Sequence, residues 1–246
     1  MARHSHWHQI RLKKGAADQK RGKVFSKHAR LIEVGARRGG GDPRMNPSLA
    51  SLIENARADN MPRENIDRAI KKGTGESKDA AQFEEVLYEG FGPGGTAFLV
   101  ETLTDNKNRT NQTVRGVLQT AGGSIGSAGA TSFLFDRKGE IVVNAKSTRD
   151  EDELAIIDAG AEDLEEIENA YVVYTAASAL AQVRDELKQK GFTVTSSKLT
   201  FLPKVAITVD DAALAEKLFD LVDGLESEED VTNVSYNFEV AESVQM

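Results

Sequence analysis

The sequence predicts an α+β protein of three domains, and three observations carry that prediction. At 246 residues the chain exceeds the usual size of one domain and can bury more than one core. Its charge is split: residues 1–75 hold 17 Lys+Arg against 7 Asp+Glu, a formal +10, which leaves 14 against 32, or −18, for the rest. Apolar spacing also changes, from a helical period in the basic part to strand–helix alternation in the acidic part. The expected domains are a basic helical bundle over 1–78, a discontinuous α+β domain over 79–138 plus 203–246, and an inserted domain over 139–202.

In the basic part, Phe25, Ala29, Ile32 and Ala36 recur at i, i+4, i+7 and i+11, which predicts one face of a helix from Ala17 to Arg38. At about 100° per residue, Lys20, Lys23, Lys27, Arg30 and Arg37 fall in a stripe beside that face. Lys13, Lys14, Arg21 and Arg38 add charge to the same segment, with only Asp18 and Glu33 against it. Gly39-Gly40-Gly41-Asp42-Pro43 ends the helix, because Gly tolerates a left-handed C-terminal residue and Pro cannot continue. Asn46 caps a second helix with Pro47 at its first position and Leu49, Leu52, Ile53 and Ala56 as its buried stripe. Pro62 opens a third helix that buries Ile66, Ala69 and Ile70 and stops at Gly73, with Lys71 and Lys72 at its negative dipole end. The short connection Asp59-Asn60-Met61 also permits a helix-turn-helix, with Arg63, Asn65 and Arg68 near the start of a recognition helix.

In the acidic part, Val86–Phe91 and Thr96–Thr104 read as strands joined through Gly92-Pro93-Gly94-Gly95, and Asn108–Thr120 as a helix. The Gly cluster reads as a hairpin turn rather than a phosphate loop, since no helix follows it and no Gly-Lys-Ser/Thr closes it. The polar loop Thr104–Thr110, with Lys107 and Arg109, stands at a helix N-terminus, where an anion or ordinary capping would satisfy the free amides. From 139 to 202 the order is strand, helix, strand, strand, helix, strand, a split βαβ or ferredoxin-like unit. Strands at Val205–Val209 and Val231–Glu239, with a helix over Ala212–Val222 between them, are expected to partner the earlier strands. The inserted sheet is a poor RNA platform, because Glu165, Glu166 and Glu168 stand where stacking aromatics would be needed and carboxylates repel phosphate.

Composition narrows the function. With no cysteine there is no disulfide, thiol nucleophile or Cys-based zinc site. All four His lie within the first 28 residues, and there is no Gly-x-Ser-x-Gly elbow. Carboxylates and cations occupy different segments, so a metal-dependent hydrolase, the remote alternative, would need a site formed between them. His4, His6 and His8 alternate but have no nearby carboxylate to complete a metal site, so no metal and no cofactor is expected. Trp7, flanked by basic residues, could stack on a base or pack on the bundle. No apolar run approaches the roughly 18 residues that cross a bilayer, and no export or transit segment is read, so the expected location is cytoplasmic. The +10 segment points to a polyanion as partner: nucleic acid or the ribosome.

Several runs together are specific: His4-Ser5-x-Trp7, Lys20-Arg21-Gly22-Lys23-x-Phe25, Gly39-Gly40-Gly41-Asp42-Pro43, Asn60-Met61-Pro62, Ala69-Ile70-Lys71-Lys72-Gly73-Thr74-Gly75, Tyr88-Glu89-Gly90 and Thr104-Asp105-Asn106-Lys107-Asn108-Arg109-Thr110. Over essentially its full length the chain resembles the YebC/PmpR family, which includes the mitochondrial translational activator of cytochrome oxidase. The resemblance implies the same three-domain α+β fold and a non-enzymatic regulator of gene expression. It implies DNA-binding transcriptional control in some settings and, in others, a ribosome-associated factor that relieves stalls at proline-rich sequences. Either role needs the cationic surface, so Lys13, Lys14, Lys20, Arg21, Lys23, Lys27, Arg37, Lys71 and Lys72 are the expected nucleic-acid contacts, with Trp7, Lys107 and Arg109 as secondary ones. The chain departs from the family at His6, His8 and Gln9, and at Phe133, which replaces the aromatic of a Ser-x-Ser-Trp region and is expected as a core residue.

Overall fold

The computed structural model describes residues 18–75, 83–241 and 244; His4, His6, Trp7, His8, Lys13 and Lys14 lie outside the described residues, and Lys20 and Arg21 are described by backbone alone. The fold is α+β. It begins with helices α1 (Asp18–Gly39), α2 (Pro47–Ala58) and α3 (Arg63–Gly73). Then come strands β1 (Glu84–Phe91) and β2 (Ala97–Thr104), helix α4 (Lys107–Thr120) and strands β3 (Ser124–Ile125) and β4 (Phe135–Asn144). Helix α5 (Arg149–Asp158), strands β5 (Asp163–Ile167) and β6 (Ala170–Ala176), helix α6 (Leu180–Gln189) and strand β7 (Val194–Pro203) follow. The chain closes with β8 (Ile207–Val209), α7 (Ala212–Glu226), β9 (Val231–Tyr236) and β10 (Phe238–Val240). Two compact units result, Met1–Ala80 with Arg137–Thr200, and Ala81–Asp136 with Phe201–Met246.

In the first unit, α1, α2 and α3 enclose Ile32, Ala36, Leu49, Ile53, Ala56, Met61, Ile66 and Ala69. The Asn46 side chain accepts from Leu49 N at 3.1 Å and donates to the carbonyls of Gly35 and Gly40, so one residue caps α2 and ties it to the end of α1. Gly40, at φ +85°, supplies the left-handed step that releases the chain from α1. The sequence assigns Gly73 as a helix stop; the structure gives it a packing role, because an added Cβ would stand 2.3 Å from Glu33 O and 2.7 Å from Ala36 Cβ. Residues 32–36 are all buried, so this part of α1 is covered on every side, where the spacing predicts a single apolar face.

The same unit holds a sheet in the order β5-β6-β4-β7, with β6 antiparallel to both β5 and β4. This is the ferredoxin-like arrangement. Its core is built from Ile141, Val143, Ile156, Tyr171, Val173, Val183, Leu187 and Phe192. Tyr171 and Tyr174 are both buried, at 2% and 3% exposure.

In the second unit the sheet order is β3-β1-β2-β9, with β1 and β2 an antiparallel hairpin turned at Pro93–Gly95. The final strand differs from the single one expected over Val231–Glu239. Asn237 interrupts it, its side-chain Oδ1 accepting from Ala97 N at 2.6 Å, so β9 stays on β2 while β10 leaves to pair in parallel with β8. Thus β8 joins β10 rather than the earlier strands. Phe133 also departs from expectation: it is 63% exposed, because Leu134 and Phe135 on either side of the turn into β4 take the inward places, against Ala97, Leu99 and Phe201.

Candidate nucleic-acid interface

Burial of residues 32–36 divides the cationic stripe of α1 in two. Lys23, Lys27 and Arg30 lie in the N-terminal half, where Lys23 is exposed and the other two are half-buried. Arg37 and Arg38 lie in the last turn, both exposed, and Arg37 Nη2 donates to Glu33 Oε1 at 2.8 Å. That bond satisfies a buried carboxylate one helical turn away.

The second group gains from tertiary packing. Gly73 lies against Glu33 and Ala36 of α1, and Gly41 against Ile70 and Thr74, so the C-terminal ends of α1 and α3 converge. Arg37 and Arg38 in the last turn of one helix and Lys71 and Lys72 in the last turn of the other therefore gather at one end of the bundle. Cations suit the negative end of each helix dipole, and four of them at two adjoining ends, even with Arg37 paired to Glu33, exceed the partial charge there and leave a positive potential. Among the described residues neither Lys71 nor Lys72 forms an ion pair. Exposed Arg57 and Arg68 also form none there, and Arg57 carried no sequence signal because it stands alone outside any stripe.

The connection between α2 and α3 is fixed rather than loose. His28 Nε2 lies 2.6 Å from Asp59 Oδ2, and Asn60 takes a left-handed φ of 62°. Arg63 pairs with Asp67 at 3.6 Å, four residues along the exposed start of α3, while Asn65 is half-buried and Arg68 exposed. One face of α2 is occupied by β7 and α6: Asn55 bonds Ser197 of β7, while from α6 Lys188 Nζ donates to Glu54 at 2.7 Å and buried Arg184 donates to Ser51.

Lys107 and Arg109 belong to a different network. Asn106 caps α4 by accepting from Arg109 N at 3.1 Å, so the helix start is closed by its own side chain. Lys107 pairs with Glu84, and Arg109 Nη2 lies 2.7 Å from both Asp105 and the buried Asp230. Those carboxylates hold the Arg109 guanidinium above its ordinary pKa, chiefly through the hydrogen bond to Asp230. Thr110 and Thr104 also donate to Asp230 Oδ2, at 2.7 and 3.3 Å. This loop is capped and charge-paired internally.

Among the described residues no three His, Asp or Glu side chains are grouped to hold a metal ion, and no helix is long and apolar enough to cross a membrane.

A family model described as the TACO1/YebC protein N-terminal domain matches residues 5–76, and one described as the TACO1/YebC second and third domain matches residues 83–238. A "probable transcriptional regulatory protein" of Finegoldia magna is 46% identical over 241 residues, covering 97% of this chain and 99% of its own length. One of the same description from Geobacillus kaustophilus is 47% identical over 242 residues, covering 97% and 98%. The crystal structure of a conserved hypothetical protein from Aquifex aeolicus superposes with a TM-score of 0.91 at 43% identity, covering 98% of this chain and all of that one.

Proposed function

The chain belongs to the TACO1/YebC family, and from that premise we propose that it is a non-enzymatic regulator of gene expression that acts in the cytoplasm by binding nucleic acid. The observation that carries this reading is the gathering of Arg37, Arg38, Lys71 and Lys72 at the converging ends of α1 and α3, with Lys23 and Lys27 further along α1. Such a surface gains from release of phosphate counterions whatever the base sequence. The relatives named as transcriptional regulators favour DNA as the target.

One observation favours a second reading, a ribosome-associated translation factor. The cations stand at helix C-termini, whereas the N-terminal part of α3 carries the Arg63–Asp67 pair, the acidic Glu64, half-buried Asn65 and exposed Arg68. That pattern suits docking on a phosphate backbone more than base readout, and ribosomal RNA presents such a backbone.

The test compares the whole protein with a Lys23→Glu/Lys27→Glu/Lys71→Glu/Lys72→Glu variant in ribosome co-sedimentation and in promoter-DNA binding at one fixed salt concentration. Sequence-selective DNA binding that the variant loses supports transcriptional control. Ribosome retention that the variant loses, with only weak and unselective DNA binding, supports the second reading. Binding unchanged by charge reversal would overturn both.

A further inference from the structure

The acidic part contains one long stretch with no acid. From Asn106 to Phe135 the chain carries Lys107, Arg109 and Arg115 and not one Asp or Glu, although residues 76–246 total −18. Helix α4 turns Thr110, Val114 and Leu118 inward and exposes Asn108, Gln112, Arg115 and Gln119, so its outer face is polar with a cation. Arg115 has no ion-pair partner among the described residues. Lys107 and Arg109 at its start are paired with Glu84, Asp105 and Asp230, so Arg115 is the cation that this face offers to a phosphate chain, in contrast to the exposed carboxylates of α5.

The loop after β3 is fixed from beneath. Buried Glu89 of β1 accepts from Gly129 N, Thr131 N and Ser132 N, each at 2.7 Å, and Thr131 Oγ1 donates to Phe98 O at 3.1 Å. Four bonds to buried partners hold the backbone on both sides of the turn, so the side chain that follows cannot relax inward. That side chain is Phe133, 63% exposed. Its own carbonyl accepts from Lys204 Nζ at 3.0 Å, and the same ammonium lies 3.6 Å from Asp136. An exposed aromatic ring on a held backbone, with the Lys204 ammonium shared between the Phe133 carbonyl and Asp136, offers an unpaired nucleotide a flat face for the base and a cation that can exchange its carboxylate for phosphate. A docking protein would find little to bury, since Ser127, Ala128 and Gly129 before it are small.

We infer that Phe133 is a stacking platform for an unpaired nucleobase, and that the 126–134 loop forms a second contact, separate from the helical bundle, which selects single-stranded or looped nucleic acid over duplex. The inference rests on the nucleic-acid-binding reading above and names the form of nucleic acid that this surface takes.

The test measures fluorescence anisotropy of a labelled short oligouridine and of a labelled mixed-sequence DNA duplex with the whole protein. Phe133→Ala and Phe133→Leu are expected to weaken oligouridine binding by about 5- to 150-fold, the range of one lost base–aromatic stack, with duplex binding unchanged. Phe133→Trp is expected to bind at least as tightly as wild type, with its indole emission quenched on titration in a Trp7→Phe background. Val205→Ser, which removes a 72% exposed apolar side chain just past Lys204, is expected to bind as wild type. Phe133→Ala binding oligouridine like wild type would overturn the inference. So would Val205→Ser weakening it as much as Phe133→Ala does, which would show a general apolar contact suited to a protein. If wild type binds both probes and the charge-reversal variant weakens them while Phe133→Ala does not, the inference fails and the functional reading stands. If wild type binds neither probe, the inference fails, and the functional reading fails with it only if ribosome co-sedimentation is also negative.

Discussion

Asn55 and Ser197, 142 residues apart, exchange two hydrogen bonds: Asn55 Nδ2 donates to Ser197 O at 2.9 Å, and Ser197 N donates to Asn55 Oδ1 at 3.0 Å. The carboxamide stands in for a strand residue. β7 is the edge of its sheet, and an edge strand presents unpaired N–H and C=O groups that must find a partner. Helix α2 supplies one, and Glu54–Lys188 and Ser51–Arg184 bracket it.

Asn55→Ala removes both bonds and leaves two half-buried backbone groups to weak hydration. The expected cost is about 1–3 kcal/mol of unfolding free energy. Urea denaturation would show it as a lower midpoint, and hydrogen exchange would show faster exchange at the Ser197 amide. An unchanged Ser197 rate would mean that the pair does not hold this edge.

Glu89 gives a pH dependence. Burial pushes its carboxyl upward, but the amides of Thr131, Gly129 and Ser132 together outweigh burial and leave it below the ordinary value of 4.5. A depressed acid stabilises the fold above its unfolded pKa, and this contribution is lost as pH falls from about 4.5 through the lower folded value. Glu89→Gln should cost about 1–3 kcal/mol at neutral pH, because its NH2 meets amide donors. The gap between wild type and variant should close on acidification. A gap that stays constant down to about pH 2 would overturn this account of Glu89.

Gly73→Ala tests the convergence of α1 and α3. The new methyl would meet Glu33 O and Ala36 Cβ, so the helices must separate, at about 1–3 kcal/mol. In an open helix end the same change would raise stability slightly through lower chain entropy. A lower thermal midpoint therefore supports close packing, and a higher one would restore Gly73 to a simple helix stop.

Asp230 gathers Arg109, Thr110 and Thr104 around one oxygen. Asp230→Ala should destabilise the protein by about 1–3 kcal/mol. Arg109→Ala should cost less than about 1 kcal/mol, since the guanidinium is half exposed and Thr110 still serves the carboxylate. Equal losses in urea titrations of the two variants would show that the ion pair, not the hydroxyl bonds, holds this corner.

Much of the fold was legible because its signals are local. Asn46 before Pro47 marks the start of α2, and Gly40 after a periodic run marks the end of α1, through preferences that act within a few residues. The order of strands and helices over 139–202 followed from runs of apolar residues divided by turns. The Lys71–Lys72 pair was visible as a cationic helix end, and its neighbourhood with Arg37 and Arg38 was not, because adjacency of two helix ends depends on how they cross.

By itself the sequence determined the order of the longer helices and strands, the Asn46 cap, the division of charge and the cationic character of the first segment. Those are properties of short windows and of composition. Only the tertiary structure decided that α1 is buried on every side at residues 32–36, that Asn237 parts the last strand, that Asn55 closes the β7 edge and that Phe133 faces water. Each of these depends on which distant backbone group a residue meets. Periodicity reports that a side chain prefers a core, and carries no information about which partner supplies it or whether a neighbour has taken the place first.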